Sequence, residues 1–189
     1  RRAPLASLAV LVWAVLAPAS AGGQGFVFES TPRFDVTIVI EPSGDLLITE
    51  TIVQEFGSTE RHGIFRNIPN RLRYDNEFDR VFPIDLISVN ASADTPADVE
   101  TKEENGNFVI RIGDPDTTIT GRHTYEIVYR VEGAMTGFDS HDELFWNVIG
   151  NEWEQSIGEM NVRVTAPADV IGVACFEGTF GSTAECNQA

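Results

Sequence analysis

Two stretches of this 189-residue sequence concentrate side chains that could do chemistry, and a pair of cysteines makes a third candidate. The first stretch runs Glu60-Arg61-His62-Gly63-Ile64-Phe65-Arg66-Asn67-Ile68-Pro69 and continues to Arg71, Arg73 and Arg80. From Arg61 to Arg80 it holds five arginines, opposed between those two residues only by Asp75, Glu77 and Asp79. A guanidinium presents a planar fork of N–H donors that matches a carboxylate or phosphate at two points. Arg61 and Arg66 are thus candidate anion-binding residues. The competing account is that these arginines pair with the protein's own surplus of acids.

The second stretch runs Asp139-Ser140-His141-Asp142-Glu143-Leu144-Phe145-Trp146-Asn147-Val148-Ile149-Gly150-Asn151-Glu152-Trp153. Trp146 or Trp153 could stack on a sugar face. Asp139, Asp142 and Glu143 offer hard oxygen ligands for a divalent cation. Glu143 and Glu152 could form the carboxylate pair of a glycoside hydrolase. Against these stand simpler roles, since tryptophan more often fills a core and acidic loops are usually solvated. A calcium-loop ladder with its central glycine is missing, and nothing sets a carboxylate separation or raises one pKa.

Other templates are weaker. His62, His123 and His141 lack metal-ligand spacing, and the sequence has neither a nucleophile elbow nor a phosphate-cradling glycine loop. A lone His123 ahead of a strand reads as a surface or capping residue. Asn90-Ala91-Ser92 fits a glycosylation sequon, which matters only in a eukaryotic source. No cofactor and no metal site are expected. Cys175 and Cys186 have ten residues between them, with Gly178, Gly181 and Ser182 suited to a turn. In an oxidising compartment such a pair reads as a disulfide closing a hairpin.

The elements that must position these residues follow from alternation. Phe34, Val36, Ile38 and Ile40 share one parity, with Asp35, Thr37 and Glu41 on the other. After Pro42-Ser43-Gly44-Asp45, a turn, Leu46, Ile48, Ile52 and Phe56 repeat the pattern. This is an antiparallel hairpin with one buried face. Glu50 and Gln54 interrupt that face and are expected where the strand leaves the core. Further strands are expected at 81–89, 99–103, 108–112, 125–131, 144–148, 160–164 and 170–176. Asn105-Gly106 is a hairpin turn signal between two of them. Prolines recur from Pro32 to Pro167, and no window sustains a helical period. The fold class is all-β, an antiparallel β-sandwich with immunoglobulin-like layers, the alternative being an irregular barrel.

Arg1 and Arg2, an apolar run over 3–18 and the small residues Ala19-Ser20-Ala21 make a secretory signal, too short in its apolar part to span a bilayer. Residues 1–21 are therefore read as signal peptide, 22–32 as a lead-in, and 33–189 as a single β-sandwich domain ending in a disulfide hairpin. The sequence carries 29 acidic and 13 basic residues for a net charge of −16. Without the two leading arginines the net is −18. Such a balance argues strongly against non-specific binding of nucleic acid or anionic membrane surfaces, whose phosphates would be repelled.

Both chemistry-bearing stretches resemble a family. Residues 60–69 are similar to a motif near the first hairpin of the YciQ-like predicted bacterial membrane proteins. Residues 34–56, 112–131 (with Gly121-Arg122-His123-Thr124-Tyr125-Glu126-Ile127-Val128-Tyr129) and 142–153 resemble it too, and with Cys175 and Cys186 they cover 26–186. The resemblance implies a signal sequence, an exported β-sandwich on the extracytoplasmic side, then membrane-spanning helices and often a Gly-rich tail. It implies no established activity, and no catalytic residue is carried over. Membrane contact would come only through helices that this sequence lacks. The expected function is a non-catalytic extracytoplasmic interaction or sensing module for an unknown protein or cell-envelope partner. On that reading Trp146 and Trp153 lie in or beside the core, and Arg61 and Arg66 pin a loop. The alternative is a carbohydrate- or divalent-cation-binding module using residues 139–153.

Overall fold

The computed structural model describes residues 28–73, 77–178 and 182–186. The signal segment 1–21, most of the lead-in and Gly181 of the C-terminal turn lie outside these residues. Among the described residues fourteen strands follow in order: β1 Ser30–Ile40, β2 Leu46–Glu55, β3 Gly63–Pro69, β4 Arg71–Arg73, β5 Asp79–Val81, β6 Ile84–Ala91 and β7 Val99–Glu104, then β8 Asn107–Gly113, β9 Arg122–Val131, β10 Met135–Gly137, β11 Asp142–Leu144, β12 Ile157–Thr165, β13 Phe176–Glu177 and β14 Ala184–Glu185.

Two layers form because two sets of alternating strands each have one apolar face to bury. The larger is five-stranded, in the order β12-β1-β2-β9-β6, and the smaller is β3-β8-β7. Phe34, Val36, Ile38, Leu46, Ile48, Ile52, Tyr125, Ile127, Tyr129 and Val131 point inward from the first. Ile64, Ile68, Phe108, Ile110 and Ile112 meet them from the second. The all-β, two-layer class is as the alternation predicts. One pairing departs from it: β12 joins β1 in parallel, while every other pairing among the described strands is antiparallel.

The turns are those that their residues require. Gly44 supplies the positive φ of the β1–β2 connection, and Asn105 and Gly106, at φ 51° and 77°, close β7 onto β8. Gly63 and Gly113 face each other in the β3–β8 ladder. A methyl added at Gly63 would fall 1.9 Å from the Ile112 carbonyl oxygen, so this crossing admits only glycine.

Three expectations need correction. Glu50 and Gln54 do not mark the exit of β2 from the core. Both are buried on its inner face, because each finds a polar partner there. The strand expected over 144–148 stops at Leu144, and residues 145–156 form no strand. Within them the carbonyls of Val148 and Ile149 serve an arginine instead of a ladder. The strand expected over 170–176 reduces to Phe176–Glu177.

Candidate functional site

Arg66 is the centre of the arrangement. It lies on the inner parity of β3, between Ile64 and Ile68, with its side chain fully buried. Its Nε donates to Glu50 Oε2 at 2.6 Å and its Nη2 to Glu50 Oε1 at 2.8 Å, a two-point contact across the layers. Nη1 donates to the carbonyls of Asn67 and Ile149, at 2.6 and 2.8 Å. Nη2 also donates to the carbonyl of Val148 at 2.7 Å. The Tyr129 hydroxyl completes the cluster, donating to Glu50 Oε1 at 2.6 Å. All five guanidinium N–H groups are therefore used inside the fold.

The electrostatics match the geometry. Burial opposes the charge on Arg66, but the Glu50 carboxylate outweighs it and holds the guanidinium pKa above its ordinary value. Burial pushes the Tyr129 phenol well above its ordinary value, and the neighbouring carboxylate adds to the effect. A second buried chain runs beside the first. Trp153 Nε1 donates to Thr31 Oγ1 at 3.1 Å, and that hydroxyl donates to Gln54 Oε1 at 3.0 Å. Both networks tie residues 145–153 to the five-stranded layer.

The rest of the arginine-rich stretch is also engaged internally. Arg61 makes a forked contact with Glu29 at 2.8 and 3.1 Å, at an exposed position. Arg71 reaches Asp79 at 3.6 Å. Arg80 donates to the carbonyls of Gly133 and Met135 and to Thr136 Oγ1, and lies over the Phe82 ring. The cationic island suggested by composition is thus divided among separate contacts. For Arg66 the structure replaces an anion-binding role with a structural one, since no donor remains for an outside ligand.

In the second stretch the residues do not converge. Asp142 and Glu143 are exposed on β11, paired with Gly137 and Thr136 of β10. Trp146 is half-buried and packs edge-on against Phe82, 6.1 Å between ring centres. Trp153 packs edge-on against Phe34 at 5.3 Å. Glu152 accepts from Asn107 Nδ2 at 3.1 Å. Among the described residues no three His, Cys, Asp or Glu side chains gather as a metal site would require. Cys175 and Cys186 are disulfide-bonded at the base of the β13–β14 hairpin, with Cα atoms 5.4 Å apart.

The Glu50–Arg66 pair is the feature that residue-type reasoning missed. A signal was present: the buried parity of each strand carries one charged residue near its middle, and the two charges are opposite. Two such breaks, one on each of two facing strands, point to a mutual partner.

Comparison with known proteins agrees with the motif resemblance. Residues 30–186 match the N-terminal domain of the predicted membrane protein family DUF2207. A curated relative, the protein YciQ of Escherichia coli (strain K12), is 28% identical over 127 residues, which is 66% of this chain and 20% of that protein. The chain thus spans about a fifth of that relative's length. Among solved structures, a two-domain M1 zinc metallopeptidase mutant bound to L-arginine aligns with 82% of this chain and 37% of its own at 11% identity and a TM-score of 0.42. An M1 zinc metallopeptidase from Deinococcus radiodurans aligns with 58% and 21% at 8% identity and a TM-score of 0.36. Likeness that slight carries nothing about activity. No helix among the described residues is long and apolar enough to cross a membrane. With its matched span running from β1 to Cys186, the chain belongs to the DUF2207 family of predicted membrane proteins, of which it contains the N-terminal domain.

Proposed function

We propose that this domain is a non-catalytic interaction or sensing module, exported to the extracytoplasmic side of a bacterial membrane, that engages a protein or another cell-envelope component. One observation carries the reading: the residues best suited to chemistry hold the domain together. Arg66 has given all its donors to Glu50 and to backbone carbonyls, and Trp153 has given its indole N–H to Thr31. An exposed strand edge can take a partner strand through main-chain hydrogen bonds, which supports an interaction role. The family's description as predicted membrane proteins supports a location at the membrane. A net charge of −16 speaks against a nucleic-acid partner.

The test is an activity screen on cell-wall and glycan substrates, with Glu143→Gln as the control, together with thermal unfolding in calcium and in the same glycans. The reading predicts no turnover and no shift in the midpoint. Turnover abolished by Glu143→Gln would refute it. So would a stability gain approaching about 2.7 kcal/mol in calcium or a glycan at about a hundredfold excess over its dissociation constant, the gain expected of a true ligand.

A further inference from the structure

The edges of the two layers are not alike. β7, at one edge of the smaller layer, carries Glu100, Lys102, Glu103 and Glu104. β6, at one edge of the larger layer, is kinked by an irregularity between Leu86 and Ser88. Residues 148–150 lie against β3, whose Arg66 donates to the carbonyls of Val148 and Ile149. Charge, bulges and covering segments are the usual means of blunting a strand edge. β12 carries charge in Glu159 and Arg163, but no bulge interrupts it. Its register with β1 runs unbroken from Arg33↔Glu159 to Val39↔Thr165, and no described strand pairs with its other side.

The face of β12 is unusual as well. Met160, Val162 and Val164 sit opposite Phe34, Val36 and Ile38 and so point to the same, inner side of the sheet. Yet they are 36%, 43% and 46% exposed, against 0–2% for their partners on β1. The core's apolar surface therefore continues beyond the reach of the smaller layer. On the outer parity the order is Glu159, Asn161, Arg163, which places opposite charges symmetrically about an amide.

We infer that the free edge of β12 pairs with β12 of a second copy of this chain, antiparallel about a two-fold axis at Asn161. In that register Glu159 of each copy faces Arg163 of the other, and Asn161 faces its own counterpart. On the inner side Met160 meets Val162, so the two uncovered apolar strips adjoin and cover one another. A two-fold contact requires a self-complementary surface, and this short strand supplies one in charge and in apolar pattern together. Glu159 contacts Arg33 at 3.6 Å but remains more than half exposed, open to a second cation. The inference names a partner for the interaction reading above and depends on it.

Sedimentation equilibrium of the purified chain tests it, from about 0.05 to about 0.5 M salt, with circular dichroism to confirm that each variant is folded. Dimers are expected, tighter at high salt because the net charge of −16 on each copy repels the other at low salt. Glu159→Arg and Arg163→Glu should each weaken dimerisation about tenfold, as like charges come to face each other twice. The double variant Glu159→Arg/Arg163→Glu should restore it. The single variants move net charge in opposite directions, so a general charge effect would strengthen one and weaken the other. A monomer at every salt concentration would overturn self-pairing, and so would a dimer indifferent to the exchange. Neither result touches the interaction reading, which falls to catalytic turnover instead.

Discussion

Glu50 and Arg66, sixteen residues apart in sequence and on opposite layers, meet in a two-point contact of 2.6 and 2.8 Å with both side chains fully buried. Removing two charges from water is expensive, and a buried pair is favourable only when its remaining hydrogen-bonding positions are filled. Here Tyr129 and the carbonyls of residues 67, 148 and 149 fill them. Arg66→Ala should therefore destabilise the fold by about 3–5 kcal/mol, because Glu50 would be left buried and uncompensated. Glu50→Leu/Arg66→Met should lose less than either Glu50→Leu or Arg66→Met alone. Urea unfolding of all the variants measures the coupling, and additive losses would contradict it.

The Gly63–Gly113 crossing gives a steric prediction. Gly63→Ala places a methyl against the Ile112 carbonyl oxygen and strains a φ of +146°. A loss of about 2–3 kcal/mol is expected on unfolding. Gly121→Ala, also at positive φ but with open space around it, should lose less.

The disulfide stands apart from the core. Residues 166–177 are nearly all exposed, and among the described residues the hydrophobic core includes nothing beyond Ile157. Cys175→Ser/Cys186→Ser should leave the main unfolding midpoint almost unchanged, although a ring of this size is worth up to about 3 kcal/mol where it constrains the folding unit. Amide exchange in residues 176–185 should quicken. A large fall in the midpoint would show that the hairpin folds with the sandwich.

Two tyrosines give the pH dependence at the alkaline end. Burial pushes the Tyr125 phenol up to about 12, and Tyr129 lies well above its ordinary range for the same reason with Glu50 added. Both raised values mean that the folded state keeps protons that the unfolded chain releases from about pH 10. Their contribution is complete below pH 10 and is lost as pH climbs toward 12. Stability should fall over that window, and ultraviolet titration should show these phenols ionising only as the fold opens. Tyr125→Phe should lessen the fall, since its hydroxyl is buried without a hydrogen-bond partner.

How much of this was legible in the sequence depends on range. Phe34, Val36 and Ile38 show their strand by alternation alone, and Asn105-Gly106 shows its turn, because both signals are local. β3 was harder to read: Arg66 occupies the parity that an apolar residue would hold, so the stretch resembled a cationic motif more than a strand. Only its partner sixteen residues away explains the charge, and periodicity carries no information about partners. Trp146 and Val148 misled in the other direction. Their apolar run looked like a strand, but a segment whose carbonyls satisfy a buried guanidinium is not free to join a ladder. The parallel addition of β12 to β1 likewise leaves no local mark.

The central claim is that the Glu50–Arg66 pair holds residues 145–153 in place between the layers. Hydrogen exchange over that segment in Glu50→Leu/Arg66→Met tests it most directly. The account predicts a folded protein in which amides of 145–153 exchange at least about tenfold faster while those of β1, β2 and β9 keep their protection. Unchanged protection of 145–153 in a folded double variant would contradict it.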